Sequence, residues 1–505
     1  MSGVAKVYSV APVGFEGSLI EVESDMKNGL PSLQVVGLGN KAIDEARERI
    51  RSAIGNSLLE FPAKKLIINL APAELPKDGS HYDLPMALSL LTASKQLRQE
   101  DVANAIFAGE LALDGTLRPV RAVISIAETA RRNGITTLYI PKKNTEQANL
   151  VEGITVYGVS NLKELFLHLK GEVKLIPALS TPQTTSTSIP AVLLDDIIGQ
   201  EQAKRALTIA ASGRHNILFT GSPGAGKTML ARTLTELLPP LSKQEQVEVT
   251  KLYSLAGESI DEVITHRPFR SPHHTSSRVA LIGGGTHISP GEISLAHRGV
   301  LFLDEIPEYP RATLESLRQP LEDRKVSISR ASSRVDFPAD FMMVATMNPC
   351  PCGYYGDASR ECSCSSTQIL NYQKRLSGPL LDRIDMVVNV TRVESNKLLH
   401  HNSLLEKQHN EAKKCIQTAL SAQLNRYNSS SKHNANASSR DIKSKLLISS
   451  EAKELLDHAS EKLQLSARSY FKIAKVARTI ADIEGSDSTN KNHIAEALQY
   501  RHVTS

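Results

Sequence analysis

The chain has 505 residues, 22% of them charged and 41% hydrophobic, as in an ordinary globular protein. This length exceeds what one hydrophobic core supports, so two or three domains are expected. The net charge of +5 is too small to argue for a nucleic-acid partner, so any DNA contact must come from local patches. The sequence contains neither an apolar run that could span a bilayer nor a secretory signal, which predicts a cytoplasmic protein without membrane contact.

A glycine-rich stretch at 221–228 reads G-S-P-G-A-G-K-T and matches the P-loop pattern G-x-x-x-x-G-K-[ST]. An apolar run at 216–220 precedes it and a helical pattern at 229–238 follows it, which is the context that the motif needs. Glycines let successive backbone N–H groups turn towards phosphate oxygens, and the helix N-terminus adds positive potential. We therefore expect ATP and Mg²⁺ to bind here, at Gly221, Ser222, Pro223, Gly224, Ala225, Gly226, Lys227 and Thr228, with Ile198 and Gly199 upstream.

Two further apolar runs end in polar residues that suit ATP hydrolysis. The run 300–303 ends in Asp304 and Glu305, the Walker B arrangement. Asp304 and Thr228 would hold Mg²⁺, and Glu305 would orient and deprotonate the attacking water. The run 341–346 leads to Asn348, which could align that water, although an Asn-Pro turn fits the spacing equally well. Alternating strands and helices predict a parallel sheet with its ligand at the carboxyl ends of the strands.

The order of these motifs resembles the AAA+ ATPases, and four stretches narrow the resemblance: 267–269, 298–305, 317–323 and 348–353. Together they are similar to the ComM/YifB family of magnesium-chelatase-like AAA+ ATPases over nearly the full chain. The resemblance implies a homohexameric ring that drives DNA branch migration in recombination during natural transformation, with other recombination proteins as partners. From the residues alone, a surface salt bridge is the stronger interpretation of Arg468 and nearly as good as an arginine finger for Arg383. The resemblance implies instead that Arg383 is an arginine finger acting on the neighbouring subunit's nucleotide, and that Arg468 is the second sensor.

Two loops are predicted to contact DNA. In related helicases, the hairpin before the first sensor points into the pore of the ring, and here 326–330 and 334–337 predict such a hairpin. Solvated loops with ordinary charge are the alternative, but a small patch repeated around a ring gives a strongly basic channel. The expected contacts are Lys325, Arg330, Ser332, Ser333 and Arg334 on the hairpin, and Arg270 and Arg278 in the insertion 266–290.

Four of the five cysteines form two C-x-C pairs, Cys350 with Cys352 and Cys362 with Cys364. Four thiolates suit a tetrahedral zinc ion, although the usual spacing is C-x-x-C. Reduced cysteines in a tight turn are the alternative. We favour a structural zinc ion that holds the loop after Asn348.

The first part of the chain predicts an α+β domain without a phosphate loop. Its stretches 76–79, 109–111 and 134–144 resemble the proteolytic domain of Lon-type proteases. The serine and lysine of those enzymes would fall at His81 and Ile124. Because catalysis needs both the nucleophile and its base, we expect this domain to be Lon-like in fold and inactive as a peptidase.

The predicted order is a Lon-like domain at 1–172, a linker at 173–190, an AAA+ α/β core at 191–388 and a helical lid at 389–505. The Asn-, Ser- and His-rich stretch 425–440 is predicted to be disordered. Two other functions stay open: a motor subunit for magnesium insertion into a porphyrin, and a chaperone or protease that remodels proteins. Glu305 and Arg383 disfavour a third, a nucleotide-gated binding module without turnover.

Overall fold

The computed structural model describes residues 4–37, 41–75, 77–179, 192–285, 288–329, 334–357, 360–393 and 407–501. They form a mixed α/β structure with a seven-stranded sheet near the N-terminus and a five-stranded sheet in the middle of the chain. Among these residues, no helix combines the length and the apolar character that crossing a membrane requires.

The N-terminal sheet is mixed and has the strand order β3-β4-β2-β1-β5-β8-β9. Its helices are Lys41–Asn56, Asp83–Ala93, Val123–Arg132, Thr145–Ala148 and Leu162–Leu169. The strands are β1 Ala5–Val13, β2 Glu16–Lys27, β3 Ser32–Val36, β4 Lys65–Ala71, β5 Ala105–Phe107, β6 Glu110–Leu111, β7 Leu117–Arg118, β8 Thr137–Pro141 and β9 Thr155–Val159.

The two positions expected for a Lon-type serine and lysine are buried in this region. The imidazole of His81 donates from Nε2 to the Val10 carbonyl at 2.9 Å. Burial lowers the pKa of His81 to about 4, so its ring is neutral at neutral pH. Ile124 lies in an apolar cluster with Val10 and Ile106. Both positions therefore belong to the packed interior of the N-terminal region, and the lack of peptidase activity stays a prediction.

The five-stranded sheet is parallel throughout and has the order β11-β14-β17-β10-β18. Its three central strands are short and almost wholly buried, as expected for a parallel sheet covered by helices on both faces. The strands of this part of the chain are β10 Ile217–Thr220, β11 Phe269–Arg270, β12 Gly283–Gly284, β13 Ser289–Pro290, β14 Val300–Leu303, β15 Lys325–Ser329, β16 Arg334–Pro338, β17 Met342–Met347 and β18 Met386–Asn389.

Helices of the middle and C-terminal regions share one hydrophobic cluster. Ile416 and Ile480, from two C-terminal helices, pack with Leu207 and with Phe219 of β10. Two short helices, Arg311–Ser316 and Arg318–Asp323, meet at Leu317. The helices are Glu201–Gly213, Lys227–Leu237, Lys243–Ala256, Arg278–Ile282, Glu292–Leu295, Arg311–Ser316, Arg318–Asp323, Ser366–Gln373, Gly378–Leu381, Lys407–Tyr427, Ser439–Lys445, Ser450–Lys462, Ala467–Ile483 and Lys491–Gln499.

The prediction of disorder at 425–440 is wrong. Asn434 is fully buried, and its amide donates to Thr479 Oγ1 at 3.0 Å and to Asp482 Oδ2 at 2.8 Å. The hydroxyl of Tyr427 donates to the Asn434 Oδ1 at 2.9 Å. The polar composition that suggested solvation instead supplies the partners of a buried hydrogen-bond network.

The N-terminal region packs on the helix Lys243–Ala256 and on the β15–β16 hairpin. Lys251 is buried, contacts Glu128 at 2.5 Å and lies 4.1 Å from the ring centre of Phe15. Gly14 lies so close to Val335 of the hairpin that an added Cβ would stand 2.1 Å from its Cγ1. The turn between β1 and β2 therefore rests directly on the hairpin that the sequence predicts to contact DNA.

Replacing Glu128 by Ala should destabilise this docking, because it leaves the Lys251 charge buried without its carboxylate. We expect a loss of about 3 kcal/mol in the free energy of unfolding, measured by urea denaturation. The control Glu172→Ala removes an exposed carboxylate 4.0 Å from Lys170 and should cost less than about 1 kcal/mol. Equal effects of the two substitutions would contradict a buried ion pair at this interface.

Candidate nucleotide-binding site

Three polar segments converge because three parallel strands end at the same edge of the sheet. The P-loop follows β10, Asp304 and Glu305 follow β14, and Asn348 follows β17. In the register, Thr220 pairs with Met347 and Leu303 pairs with Ala345, so the carboxyl ends lie side by side. This edge is where doubly wound sheets bind their ligands.

The P-loop depends on glycine at positions where no side chain fits. A Cβ on Gly221 would lie 2.1 Å from the carbonyl oxygen of Val390. Gly224 and Gly226 have φ values of +78° and +88°, in the left-handed region that glycine enters without strain. Gly226 directly precedes the helix Lys227–Leu237, so the loop delivers its backbone N–H groups at a helix N-terminus.

The Lys227 ammonium lies inside the P-loop. Its Nζ donates to the Gly221 carbonyl at 2.6 Å and to the Asn348 Oδ1 at 2.9 Å. Burial lowers the pKa of Lys227, while the charges of Asp304 and Glu305 act in the opposite direction. Lys227 is thus close enough to the acidic pair to bridge them and a bound phosphate.

A threonine that sequence reasoning missed holds the acidic pair in place. The Thr346 hydroxyl donates to Asp304 Oδ1 and accepts the Glu305 backbone N–H at 2.9 Å. Glu305 has φ +48°, a conformation that a side-chain-bearing residue adopts only when its surroundings impose it. Thr346 is buried within β17, and a lone threonine in an apolar run gives only a weak signal in sequence.

Asn348 bridges the P-loop and the acidic pair. Its Oδ1 accepts from Lys227, and its Nδ2 donates to Glu305 Oε1 at 3.2 Å. The side chain therefore contacts both the cation expected at the γ-phosphate and the carboxylate expected at the water. This placement favours the sensor interpretation over a simple turn.

The cleft around the P-loop extends to the segment upstream of the first core helix. Ile198 lines it together with Gly221, and Gly199 follows Ile198 in the left-handed conformation at φ +64°. Two cationic side chains that sequence reasoning did not select, Arg392 and Arg501, line the same cleft.

The donors at this edge suit Mg²⁺. Thr228, at the start of the helix after the loop, offers a hydroxyl, and Asp304 offers a carboxylate. Hard oxygen ligands of this kind are the ones that Mg²⁺ takes, usually with water and phosphate oxygens completing its shell. Thr228 and Asp304 are the residues that would hold it.

Arg383 and Arg468 lie at the opposite edge of the sheet. They line a pocket with Asn216 and Asp385, which precede β10 and β18. Among the described residues, this pocket shares none of its lining with the P-loop cleft. The length of β10 alone, four residues, separates the two edges by about 13 Å.

The two arginines share one carboxylate. Glu322 Oε1 lies 2.5 Å from an Arg383 nitrogen and 3.1 Å from an Arg468 nitrogen. The Arg383 side chain is only 7% exposed and also donates to the Arg318 carbonyl at 3.2 Å. Both guanidinium groups therefore pair with Glu322 at the amino edge of the sheet.

The four clustered cysteines come together as a set. Their Sγ atoms all lie within 4.8 Å of one another. The Sγ atoms of Cys350, Cys352 and Cys362 lie 3.4 Å to 3.6 Å apart. These separations are too long for disulfides at about 2.05 Å and close to the roughly 3.8 Å between the sulfurs of a tetrahedral zinc thiolate site. The Tyr355 backbone N–H also donates to Cys350 Sγ at 3.3 Å. This donor set fits a thiophilic divalent cation.

The residues predicted to contact DNA differ in how free their charges are. Arg270 is 20% exposed and pairs with Glu258 at 2.7 Å and with Glu292 at 2.6 Å, so DNA would have to compete with two carboxylates for it. Arg278 is exposed on a short helix. On the hairpin, Lys325 pairs with Asp336 at 2.8 Å, and Arg334 is 66% exposed. Three predicted residues lie outside the described chain: Arg330, Ser332 and Ser333.

The fold and the polar constellation at the carboxyl edge define an AAA+ P-loop ATPase preceded by a Lon-like α+β region. Three family models match the chain: magnesium chelatase subunit ChlI at residues 193–398, subunit ChlI of Mg-chelatase at 22–144 and the ChlI C-terminal region at 406–501.

Similar proteins narrow the class further. The competence protein ComM of Haemophilus influenzae is 42% identical over 503 residues, covering 99% of this chain and 97% of that protein. The protein YifB of Salmonella typhimurium is 41% identical over 504 residues, again covering 99% and 97%. The archaeal Lon protease of Methanothermobacter thermautotrophicus is 41% identical over 75 residues, 15% of this chain and 11% of that protein. The chain belongs to the ComM/YifB family of magnesium-chelatase-like AAA+ proteins.

Proposed function

We propose that this chain is the subunit of a homohexameric ring that hydrolyses ATP to translocate on DNA and to move branch points during recombination. The observation that carries the ring is the placement of Arg383 and Arg468 at the amino edge of the sheet, while the P-loop lies at the carboxyl edge. The competence protein among the relatives supports a role in natural transformation and, with it, a DNA substrate.

The residues at the carboxyl edge supply the hydrolytic step. The carboxylate of Glu305 takes the proton of a water molecule as its oxygen attacks the γ-phosphorus, and the bond to the β–γ bridging oxygen breaks to release ADP. Lys227 stabilises the charge that develops on the γ-phosphate oxygens. The Asn348 amide fixes the positions of the Lys227 and Glu305 side chains through one hydrogen bond to each. Bound Mg²⁺ would neutralise the β- and γ-phosphate oxygens from Thr228 and Asp304.

The amino edge completes the site of a second copy. A head-to-tail contact places the amino edge of one subunit against the carboxyl edge of the next, and such heterologous contacts close into rings. In that arrangement Arg383 and Arg468 leave Glu322 and stabilise charge on the neighbour's γ-phosphate. An arginine supplied in this way is worth about 10³-fold or more in kcat.

The DNA contacts are assigned to the hairpin and the exposed insertion. Arg334 and Arg278 are exposed, and Lys325 pairs only at the surface with Asp336, where an ion pair is weak enough to exchange for a phosphate. A ring presents six copies of this small patch, so a weak basic surface on one subunit becomes a channel with substantial phosphate affinity.

The cluster Cys350, Cys352, Cys362 and Cys364 is assigned to a structural zinc ion. The supporting observation is the convergence of the four Sγ atoms within 4.8 Å. Such closed thiolate sites contribute folding energy and have no open coordination position for substrate.

A motor for magnesium insertion into a porphyrin is the second candidate, favoured by the match to three family models of magnesium chelatase subunits. The two proposals share the ATPase chemistry and differ in what stimulates it. A DNA motor is stimulated by single-stranded or branched DNA, whereas a chelatase motor responds to porphyrin and its partner subunits.

Glu305→Gln should retain ATP binding and lose hydrolysis, because the amide keeps the shape of the side chain and cannot accept the proton. We expect kcat to fall by about 100-fold or more, while the Kd for ATP stays within a few-fold. Lys227→Ala should instead weaken ATP binding, measured with a fluorescent nucleotide. Lys243→Ala, an exposed lysine at the start of a helix, is the control and should change neither quantity.

Two inactive variants should complement each other if Arg383 acts across the interface. Arg383→Ala keeps a working Glu305, and Glu305→Gln keeps a working Arg383. The site between two neighbours is complete when the first supplies Glu305 and the second supplies Arg383, which one of the two orders of the variants provides. Random rings formed from an equal mixture should have about a quarter of their sites complete. ATP hydrolysis by the co-assembled mixture measures this. A mixture as inactive as its components would contradict the trans assignment.

Arg334→Glu should weaken stimulation by DNA and leave basal ATP hydrolysis unchanged. Reversing one exposed charge per subunit should raise the DNA concentration for half-maximal stimulation by about tenfold or more and reduce its salt dependence. Arg118→Glu is matched in exposure, 65% against 66%, and should have no effect. Unaltered stimulation in the Arg334 variant would refute the hairpin as a DNA contact.

A further inference from the structure

The segment that carries the four cysteines, described at residues 350–357 and 360–364, contributes to one wall of the nucleotide cleft; we call it the cysteine loop. It begins two residues after Asn348, the side chain that joins Lys227 to Glu305. Tyr355, Gly356 and Asp357 line the same cleft as Gly221 and Ser222. The candidate metal centre and the candidate ATP site are therefore adjacent parts of one surface.

The cysteine loop also touches the P-loop directly. A Cβ on Gly353 would lie 2.7 Å from both Cγ and Cδ of Pro223 and 4.0 Å from Cγ of Asn348. Gly353 has φ +86°, and its N–H donates to the Cys350 carbonyl at 3.0 Å. Glycine is required here because the turn needs a left-handed residue and the proline ring leaves no room for a side chain.

Within the described residues, weak hydrogen bonds to sulfur are among the contacts that hold the cysteine loop. Backbone N–H donors reach the sulfurs of Cys350, Cys362 and Cys364 at 3.3 Å to 3.5 Å, and such bonds to sulfur contribute little. Gln373 adds one bond to the Pro349 carbonyl at 3.2 Å. Four thiolate bonds to one cation would be far stronger and would join both ends of the loop.

We propose that a thiophilic divalent cation of the zinc class, bound by the four cysteines, is a positioning element of the ATP site. The bound cation would hold Gly353 against Pro223. It would also fix the backbone at Asn348, so that the Asn348 side chain stays between Lys227 and Glu305. The cysteines act through those residues and do not touch the nucleotide. The inference rests on the proposed ATP hydrolysis and is independent of the proposed action on DNA.

The first test removes the metal without altering the neighbours of Asn348. The variant Cys362→Ser/Cys364→Ser deletes the distal pair of ligands, and Cys415→Ser, at the one cysteine outside the cluster, is the matched control. Zinc per chain is measured by mass spectrometry, kcat by ATP hydrolysis without DNA, and affinity by titration with ATPγS. In the double variant we expect loss of zinc, a fall in kcat of about 10-fold to 100-fold and a several-fold weaker ATPγS complex. The Cys415 variant should match the wild type.

The second test separates positioning from general destabilisation. Asn348→Ala lowers kcat by itself, and adding the double cysteine substitution should then lower kcat little further, because both changes act on the same contact. Losses in kcat that multiply would overturn the inference. A double cysteine variant that loses zinc and keeps wild-type kcat and ATPγS affinity would overturn it as well.

A third variant keeps the cysteines and disturbs only the contact with the P-loop. Gly353→Ala should retain zinc and weaken ATPγS binding, since its Cβ would press on Pro223. Zinc retention with unchanged ATPγS affinity would contradict a functional contact between Gly353 and Pro223.

If the double cysteine variant does not fold, chelation of zinc from the wild-type protein and readdition of Zn²⁺ replace it. Reversible loss of ATPγS affinity supports the inference, and unchanged affinity overturns it. If ATPγS affinity depends on zinc but DNA does not stimulate ATP hydrolysis, the proposed action on DNA is refuted and the inference about zinc stands.

Discussion

The uniform direction of five short strands governs this molecule. Because β11, β14, β17, β10 and β18 are all parallel, every carboxyl end lies at one edge of the sheet and every amino end at the other. The carboxyl edge holds the P-loop, the acidic pair and Asn348, because each directly follows one of these strands. Arg383 and Arg468 lie at the second edge beside Asn216. One chain thus carries the P-loop and these two arginines at opposite edges of one sheet, the separation on which the proposed ring depends.

The amino edge is a rigid support for those arginines. Burial opposes ionisation of Asp340, yet Arg214, Arg324 and Arg298 hold its pKa at about 2. Arg298 also contacts Glu248 at 2.8 Å, which links this edge to the helix Lys243–Ala256. That helix in turn carries Lys251, the anchor of the N-terminal region. A chain of charged contacts therefore runs from the Lon-like region to the face that we propose meets the neighbouring subunit.

The N-terminal region reuses a protease-like fold as a support. The position of a nucleophile is occupied by the buried His81, and the position of its base by Ile124 within an apolar cluster. The turn at Gly14 lies against Val335, in the hairpin pair next to Ser329 and Arg334 at the turn end. The Lon-like region therefore packs beside Arg334, a residue that we assign to DNA.

The sequence by itself determined the local chemistry. Glycine spacing in the P-loop, the acidic pair after an apolar run and the C-x-C pairs each depend on residues close together in the chain, where backbone geometry fixes what they can bind. Only the tertiary structure decided which residues distant in the sequence contact each other. It found Thr346 beneath Asp304 and Glu305, ordered the polar stretch around Asn434, paired Arg270 with two carboxylates, and put both candidate arginines at the far edge of the sheet. These outcomes depend on partners tens to hundreds of residues away, which no local pattern encodes.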